Sequence, residues 1–457
     1  MFQQNTQSLR TGMIFMAIIF FILGFITNFN MALKDQVQTT FDLGAAMAQL
    51  VNGVFFFAYF CFSLICGRFV KKIGYKKSVI AGLVLVMVGC YLFFPAVAEE
   101  PSYALFLMAI FIMATGVVFL QTAANPYIVA LGSQATAPAR LNLVQAMNSI
   151  ATTIAPFLVG LFILTPASLA IGPRAVQTPF IIIGTIVFLV AAGVYLSKLP
   201  LIESIDTPLV QKKVWQHPQV LLGALGIFCY VGAEVGCSTQ IVPYLEEGGF
   251  AKDEAGRLVA IYWAGGMIGR FFGSIILSTL KKPKKYLYSL CVIVFSFFVG
   301  WFIFSSRFVD GVFVFSSQLL NGLLFLCITI FNFIAMLLGK GKPGISLGVF
   351  GVIASILVFA AFLLPVSIGM WALLAVGFFN SIMFPTIFSL GVKDLDANEM
   401  PMASGIINTL IVGGTVVPLT MGWFTDHIGI GVRIALLLPA ICFAYIAFFA
   451  LKGSKIR

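Results

Sequence analysis

Apolar runs of about 20 residues recur fourteen times along this 457-residue chain, each long enough to cross a hydrocarbon core about 30 Å thick as a helix. The run from Tyr103 to Leu120 holds no charge at all. Lipid offers no partner to a backbone N–H or C=O, so runs of this length are read as helices that satisfy their own backbone. The spans fall near 12–33, 45–68, 77–97, 103–131, 141–165 and 178–198. They resume near 219–245, 256–280, 286–306, 312–338, 344–365, 368–392, 401–424 and 431–451.

Composition excludes a soluble domain: 60% of residues are hydrophobic and 9% charged, where about a quarter charged would be ordinary, and mean hydropathy is +1.06. The forty-three glycines suit close packing of membrane helices. No cleavable leader is expected, since Met1 to Arg10 is polar and no small-residue cleavage site follows the run from Met13. The net charge of +11 does not point to nucleic acid, because the basic residues sit in short loops between spans. Gly67 to Lys77, Lys281 to Lys285, Gly339 to Pro343 and the tail Lys452 to Arg457 read as cytoplasmic, which puts both termini on that side. Glu99-Glu100, Glu246-Glu247 and Asp310 fall on the other. The eight cysteines all lie in apolar stretches with no CxxC, and His217 and His427 have no second histidine nearby. Neither a metal site nor a cofactor is expected.

The polar connection Pro200 to Pro218, with Glu203, Asp206, Lys212 and Lys213, is the longest such linker. It divides the chain into a six-helix half over 1–199, a linker over 200–217, and a second half over 218–457. A pattern repeats across the two: Gln121-x-x-x-x-Pro126 in the fourth span matches Asn380-x-x-x-x-Pro385, and each precedes a span with its own inward amide, Asn148 or Asn408. Paired polar, proline-interrupted segments are the mark of a transporter built from repeats. On that alignment the helices at about 286–338 are an inserted pair. Their Ser316, Ser317, Gln318, Asn321 and Asn332 could line a path, although an insertion that spares the repeat-built core is expected to pack peripherally.

Gln121 and Asn125 stand one turn apart on one face, two carboxamides that lipid cannot satisfy. In the second span Gln49, Asn52, Phe56, Tyr59 and Ser63 follow at spacings of three and four, so amides and aromatic rings share a face. The fifth span presents Asn142, Gln145, Asn148 or Ser149, and Thr152 in the same way. Of sixteen carboxylates, Glu234 alone sits mid-span, with Tyr230 one turn before it. An intramembrane carboxylate is protonated or paired with a cation, and its default reading is functional. Arg270 lies about three turns from Lys281, so snorkelling or a gate contact toward the cytoplasmic side is expected, and a pair with Glu234 has no support in the sequence.

Six ordered motifs now carry a resemblance: Gly24-Phe-Ile-Thr-Asn-Phe-Asn30, Phe55-Phe-Phe-Ala-Tyr-Phe60, Gln121-Thr-Ala-Ala-Asn-Pro-Tyr127, Arg140-Leu-Asn-Leu-Val-Gln-Ala-Met-Asn-Ser149, Phe228-Cys-Tyr-Val-Gly-Ala-Glu-Val-Gly236 and Phe379-Asn-Ser-Ile-Met-Phe-Pro-Thr-Ile-Phe-Ser-Leu390. The chain resembles the fucose permease and glucose/galactose transporter family of the major facilitator superfamily, the inserted pair excepted. The loop motif Gly67 to Lys77 departs from the superfamily pattern, with Lys71 where an acidic residue is usual. Asn30-Met31 replaces the family's Asn-Asp, and Gln121 stands where the proton-coupled fucose branch has glutamate, so the glucose/galactose branch is the better match.

The resemblance implies an all-α polytopic membrane protein of two six-helix halves plus two inserted helices, a multi-pass protein of the bacterial inner membrane acting as a monomer. It implies no enzymatic activity, but monosaccharide import by alternating access, glucose or galactose first and fucose or an N-acetylated hexosamine next. The sugar ligands would be Asn30, Gln49, Asn52, Phe56, Tyr59, Gln121, Asn125, Gln145, Asn148, Tyr230 and Asn380, since sugar hydroxyls need amide donors and acceptors while the C–H face packs on a ring. Glu234 would couple uptake to Na+ or H+, a uniporter needing neither, and Arg270 and Arg68 would gate. A multidrug exporter would favour a less amide-rich cavity, and a membrane-embedded transferase would gather acids, histidines or a nucleophile at one membrane face.

Overall fold

A computed structural model describes residues 6–32, 37, 41–43, 45–98, 100–162, 174, 177–197, 200, 214–309, 312–428 and 431–456. Most of the expected linker, 201–213, and the acidic Glu99 and Asp310 lie outside the described residues. The described chain is almost wholly helical. The first half holds α1 (Thr6–Ala32), α2 (Ala45–Ile73), α3 (Tyr75–Ala96), α4 (Tyr103–Ala130), α5 (Ala137–Phe162) and α6 (Gln177–Leu196). Next come α7 (Pro218–Glu247), α8 (Lys252–Ile276), α9 (Lys282–Ser305), a hairpin of β1 (Ser306–Val309) and β2 (Val312–Phe315), and α10 (Leu319–Leu338). The chain ends with α11 (Pro343–Leu363), α12 (Val366–Asn380), α13 (Met383–Gly391), α14 (Met400–Thr409), α15 (Gly413–Ile428), α16 (Gly431–Ala435) and α17 (Leu437–Leu451). Among the described residues thirteen helical segments are long and apolar enough to span a membrane, and the 26-residue α5 stands beside them.

Four expected spans differ from the structure in detail, one of them the span near 431–451, which breaks at Leu436 between α16 and α17. Residues 312–315 pair with 306–309 as an antiparallel hairpin instead of opening the helix near 312–338, as Val-Phe-Val-Phe alternation favours. The span near 368–392 breaks at Ser381–Ile382, between α12 and α13. The span near 401–424 passes through a 3-10 turn at Leu410–Val412 between α14 and α15.

The chain forms two compact units. Unit 1 comprises residues 1–133, 150–214 and 394–410, and unit 2 comprises 134–149, 215–393 and 411–457. In unit 1, α3 packs on α4 and α6, with Phe93 stacked on Phe180 and edge-on to Phe106. There α14 lies close on α2, because a Cβ at Gly405 would fall 2.7 Å from the Ser63 carbonyl oxygen. In unit 2, α8 packs on α12 and α9, α11 packs on α17, and α10 of the inserted pair contacts α8, α11 and α12.

Candidate functional site

Each proline of the repeated pattern removes a backbone N–H, leaving the carbonyl four residues earlier without its helical partner. In α4 that proline is Pro126 and the freed carbonyl belongs to Thr122. The Ser404 hydroxyl on α14 donates to it at 2.9 Å, and Asn408 Nδ2 donates to the Thr122 hydroxyl at 3.2 Å. In α13 the proline is Pro385 and the freed carbonyl belongs to Ser381. Arg270 Nε donates to it at 3.1 Å.

Arg270 is therefore drawn inward and does not snorkel to the end of α8. Its guanidinium also donates to the Ser149 hydroxyl and, at 3.2 Å, to the Tyr230 hydroxyl. It stands 3.6 Å from Glu234 Oε1, with the two side chains 9% and 14% exposed. Tyr230 donates to the same Oε1 at 2.6 Å. The guanidinium balances the carboxylate, as an ion pair this far from water requires. Close approach of α8 to the break allows the geometry, since a Cβ at Gly269 would lie 2.2 Å from the Ser381 hydroxyl oxygen. Glu234 Oε2 accepts no hydrogen bond from the described residues and remains an open acceptor.

A second thread joins the break to the same acid. Tyr262 donates to the Glu234 backbone carbonyl at 2.9 Å, and Asn380 Nδ2 donates to the Tyr262 hydroxyl. Asn332, from the inserted pair, is buried and donates to the Phe378 carbonyl at 3.0 Å, two residues before Asn380. Phe325 of the same helix packs on the Phe378 ring at 4.9 Å. Helix α10, mostly exposed, uses these two buried residues to hold the end of α12. Unit 2 also carries Gln145, which is buried, and Asn148, half-buried on α5.

The candidates of unit 1 form a different kind of cluster. Tyr59 donates to Gln121 Oε1 at 2.7 Å, and Phe55 packs beside both Phe56 and Tyr59. Asn30 and Asn125 are fully buried, and neither amide oxygen nor nitrogen has a partner among the described residues. Asn52 Oδ1 is likewise unpartnered. Buried amides left without a partner are costly, which sets these side chains apart from ordinary packing residues. Gln49 lies in α2 with its side chain outside the described residues, and Arg68 is exposed.

Tyr262 and Ser381 are not among the residues expected from the sequence. The available signal was Pro385 itself, which marks the Ser381 carbonyl as needing a donor.

Comparison with known proteins identifies the family. The family model described as Major Facilitator Superfamily matches residues 14–356. A glucose/galactose transporter of Brucella abortus biovar 1 (strain 9-941) is 36% identical, over 96% of this chain and 93% of its own. The L-fucose-proton symporter of Escherichia coli (strain K12) is 30% identical, over 96% and 92%. The crystal structure of a Major Facilitator Superfamily transporter, FucP, in the outward conformation superposes with a TM-score of 0.73 at 28% identity, covering 98% of this chain and 100% of that one.

Proposed function

Because the chain belongs to the major facilitator superfamily, and within it to the family of bacterial glucose/galactose transporters and fucose permeases, we propose that it imports a monosaccharide, glucose or galactose first, across the bacterial inner membrane. It is a multi-pass membrane transporter that works by alternating access, with the basic loops and both termini cytoplasmic. The amides of unit 1 bind sugar hydroxyls, and Phe56 and Tyr59 of the same unit pack on the C–H face.

The observation that carries the coupling is the Glu234–Arg270 pair with Tyr230 between its members. Uptake is driven by a cation, and the pairing favours H+ over Na+. A proton arriving on Glu234 ends the ion pair and releases Arg270, so protonation and rearrangement are one event. The assay is accumulation of labelled glucose, galactose, fucose and N-acetylglucosamine in proteoliposomes, with proton and sodium gradients imposed separately. Glu234→Gln is expected to keep sugar exchange and to lose accumulation against a gradient. Accumulation by Glu234→Gln sinks the role of Glu234, dependence on sodium alone sinks the proton, and no uptake of any sugar sinks the reading.

A further inference from the structure

Unit 2 contains a cavity of about 430 Å³ where the first turns of α8 meet the end of α9, the hairpin and the first turns of α10 and α12. It lies at the end of these helices opposite the basic loops Lys281–Lys285 and Gly339–Pro343. None of its lining residues belongs to the Glu234 cluster. Three walls come from the inserted pair and its hairpin, segments that the repeat-built core does not require.

The lining has the chemistry of a small polyol site. Trp371 is half-buried and presents a ring for the C–H face of a pyranose, while Gln318 and Asn321 offer amide donors and acceptors. Glu254 adds an exposed carboxylate, and Arg257 and Arg307 add guanidinium groups. One nitrogen of Arg257 donates to the Ser306 carbonyl at 3.4 Å, but its Nε is buried with no partner among the described residues, as is the Ser306 hydroxyl beside it. A buried guanidinium N–H left open is costly, and a ligand oxygen would satisfy it. The volume falls within the range of small-molecule sites, roughly 300–1,000 Å³.

We propose that this cavity is a second monosaccharide site, which captures sugar at the face opposite the basic loops before it reaches the Glu234 cluster. The inference rests on the reading that the cargo is a monosaccharide. It gives the inserted helix pair a task beyond bracing α12: raising capture at low sugar concentration.

Two measurements test it. Equilibrium dialysis of the purified protein with labelled glucose, galactose, fucose and N-acetylglucosamine is expected to find two bound molecules of the transported sugar per chain, falling to one in Trp371→Ala/Gln318→Ala. In proteoliposomes, Trp371→Ala and Asn321→Ala are each expected to raise the KM of uptake about five-fold with the maximal rate unchanged, the loss of one stacking or amide contact. One molecule per chain in the unaltered protein, or a KM that none of these variants moves, overturns the second site while leaving the import reading standing. Sugar held in this cavity by a protein that accumulates none does the reverse. Binding of inorganic phosphate in place of any sugar also overturns the proposal, because Arg257 and Arg307 would then be serving an anion.

Discussion

The two units share a defect and repair it differently. Pro126 and Pro385 each free a carbonyl four residues back, yet a neutral hydroxyl, Ser404, fills the first and a guanidinium, Arg270, fills the second. A neutral donor settles the matter locally. A charged one needs a counterion, and Glu234 supplies it, so the same backbone fault becomes in unit 2 the anchor of an ion pair. The difference teaches where a charge can reside: unit 1 has unpartnered buried amides and, among the described residues, no carboxylate in its cluster, while unit 2 has Glu234.

The largest effect should come from stripping that counterion. Arg270→Leu leaves Glu234 buried and unpaired, which costs about 3–5 kcal/mol, and transport should fall at least ~100-fold through loss of both protein and function. Joining it to Glu234→Leu should recover thermal stability, because replacing a whole buried pair by apolar residues is often neutral or stabilising, but should not recover uptake. Melting temperature in detergent and uptake in proteoliposomes separate the two. Recovery of uptake by the double variant would mean that the pair only holds α7 to α8.

Next in size is the proline that creates the demand. Pro385→Ala returns an N–H to the first turn of α13, which competes with Arg270 Nε for the Ser381 carbonyl, in a turn where proline carries little helix penalty. The protein should melt no lower, while uptake drops roughly ten-fold because the guanidinium loses one of its fixed positions, a loss worth about 1.5 kcal/mol. Pro126→Ala is the control. There the displaced partner is only a serine hydroxyl, and uptake should change less than about two-fold. Equal effects at the two prolines would erase the contrast between the units.

How much of this was legible in the sequence follows from which interactions are local. Spans are local, because a 20-residue run without charge leaves the backbone no choice, and thirteen of the expected segments recur as membrane-length helices with α5 beside them. The prolines and the amides five residues before them were legible as a repeat. The pairing was not: Glu234 and Arg270 lie on neighbouring helices, and nothing in the spacing of either tells which way its side chain turns. Arg270 looked like a residue close enough to Lys281 to reach water, and only the carbonyl freed by Pro385 explains why it points inward. The hairpin was hidden for the opposite reason. Val312 to Phe315 is as apolar as the helix after it, and β-branched alternation within so short a run is easily absorbed into a span. Asn332 was visible as a polar residue in the inserted pair, but its partner, a carbonyl 46 positions away, was not.

The smallest effect belongs to Ser404→Ala, and it tests unit 1 on its own terms. Removing the hydroxyl leaves the Thr122 carbonyl without the donor that Pro126 cannot provide, while Asn408 still holds the Thr122 hydroxyl. A buried carbonyl orphaned in this way costs about 1–3 kcal/mol, so the melting temperature should drop by a few degrees. Sugar affinity should stay within about two-fold, since Tyr59 and Gln121 keep their own bond on the neighbouring turn. If Ser404→Ala instead abolished accumulation while Pro126→Ala did not, the hydroxyl would be acting in transport directly, and unit 1 would have a polar switch of its own where the geometry shows only a repaired helix.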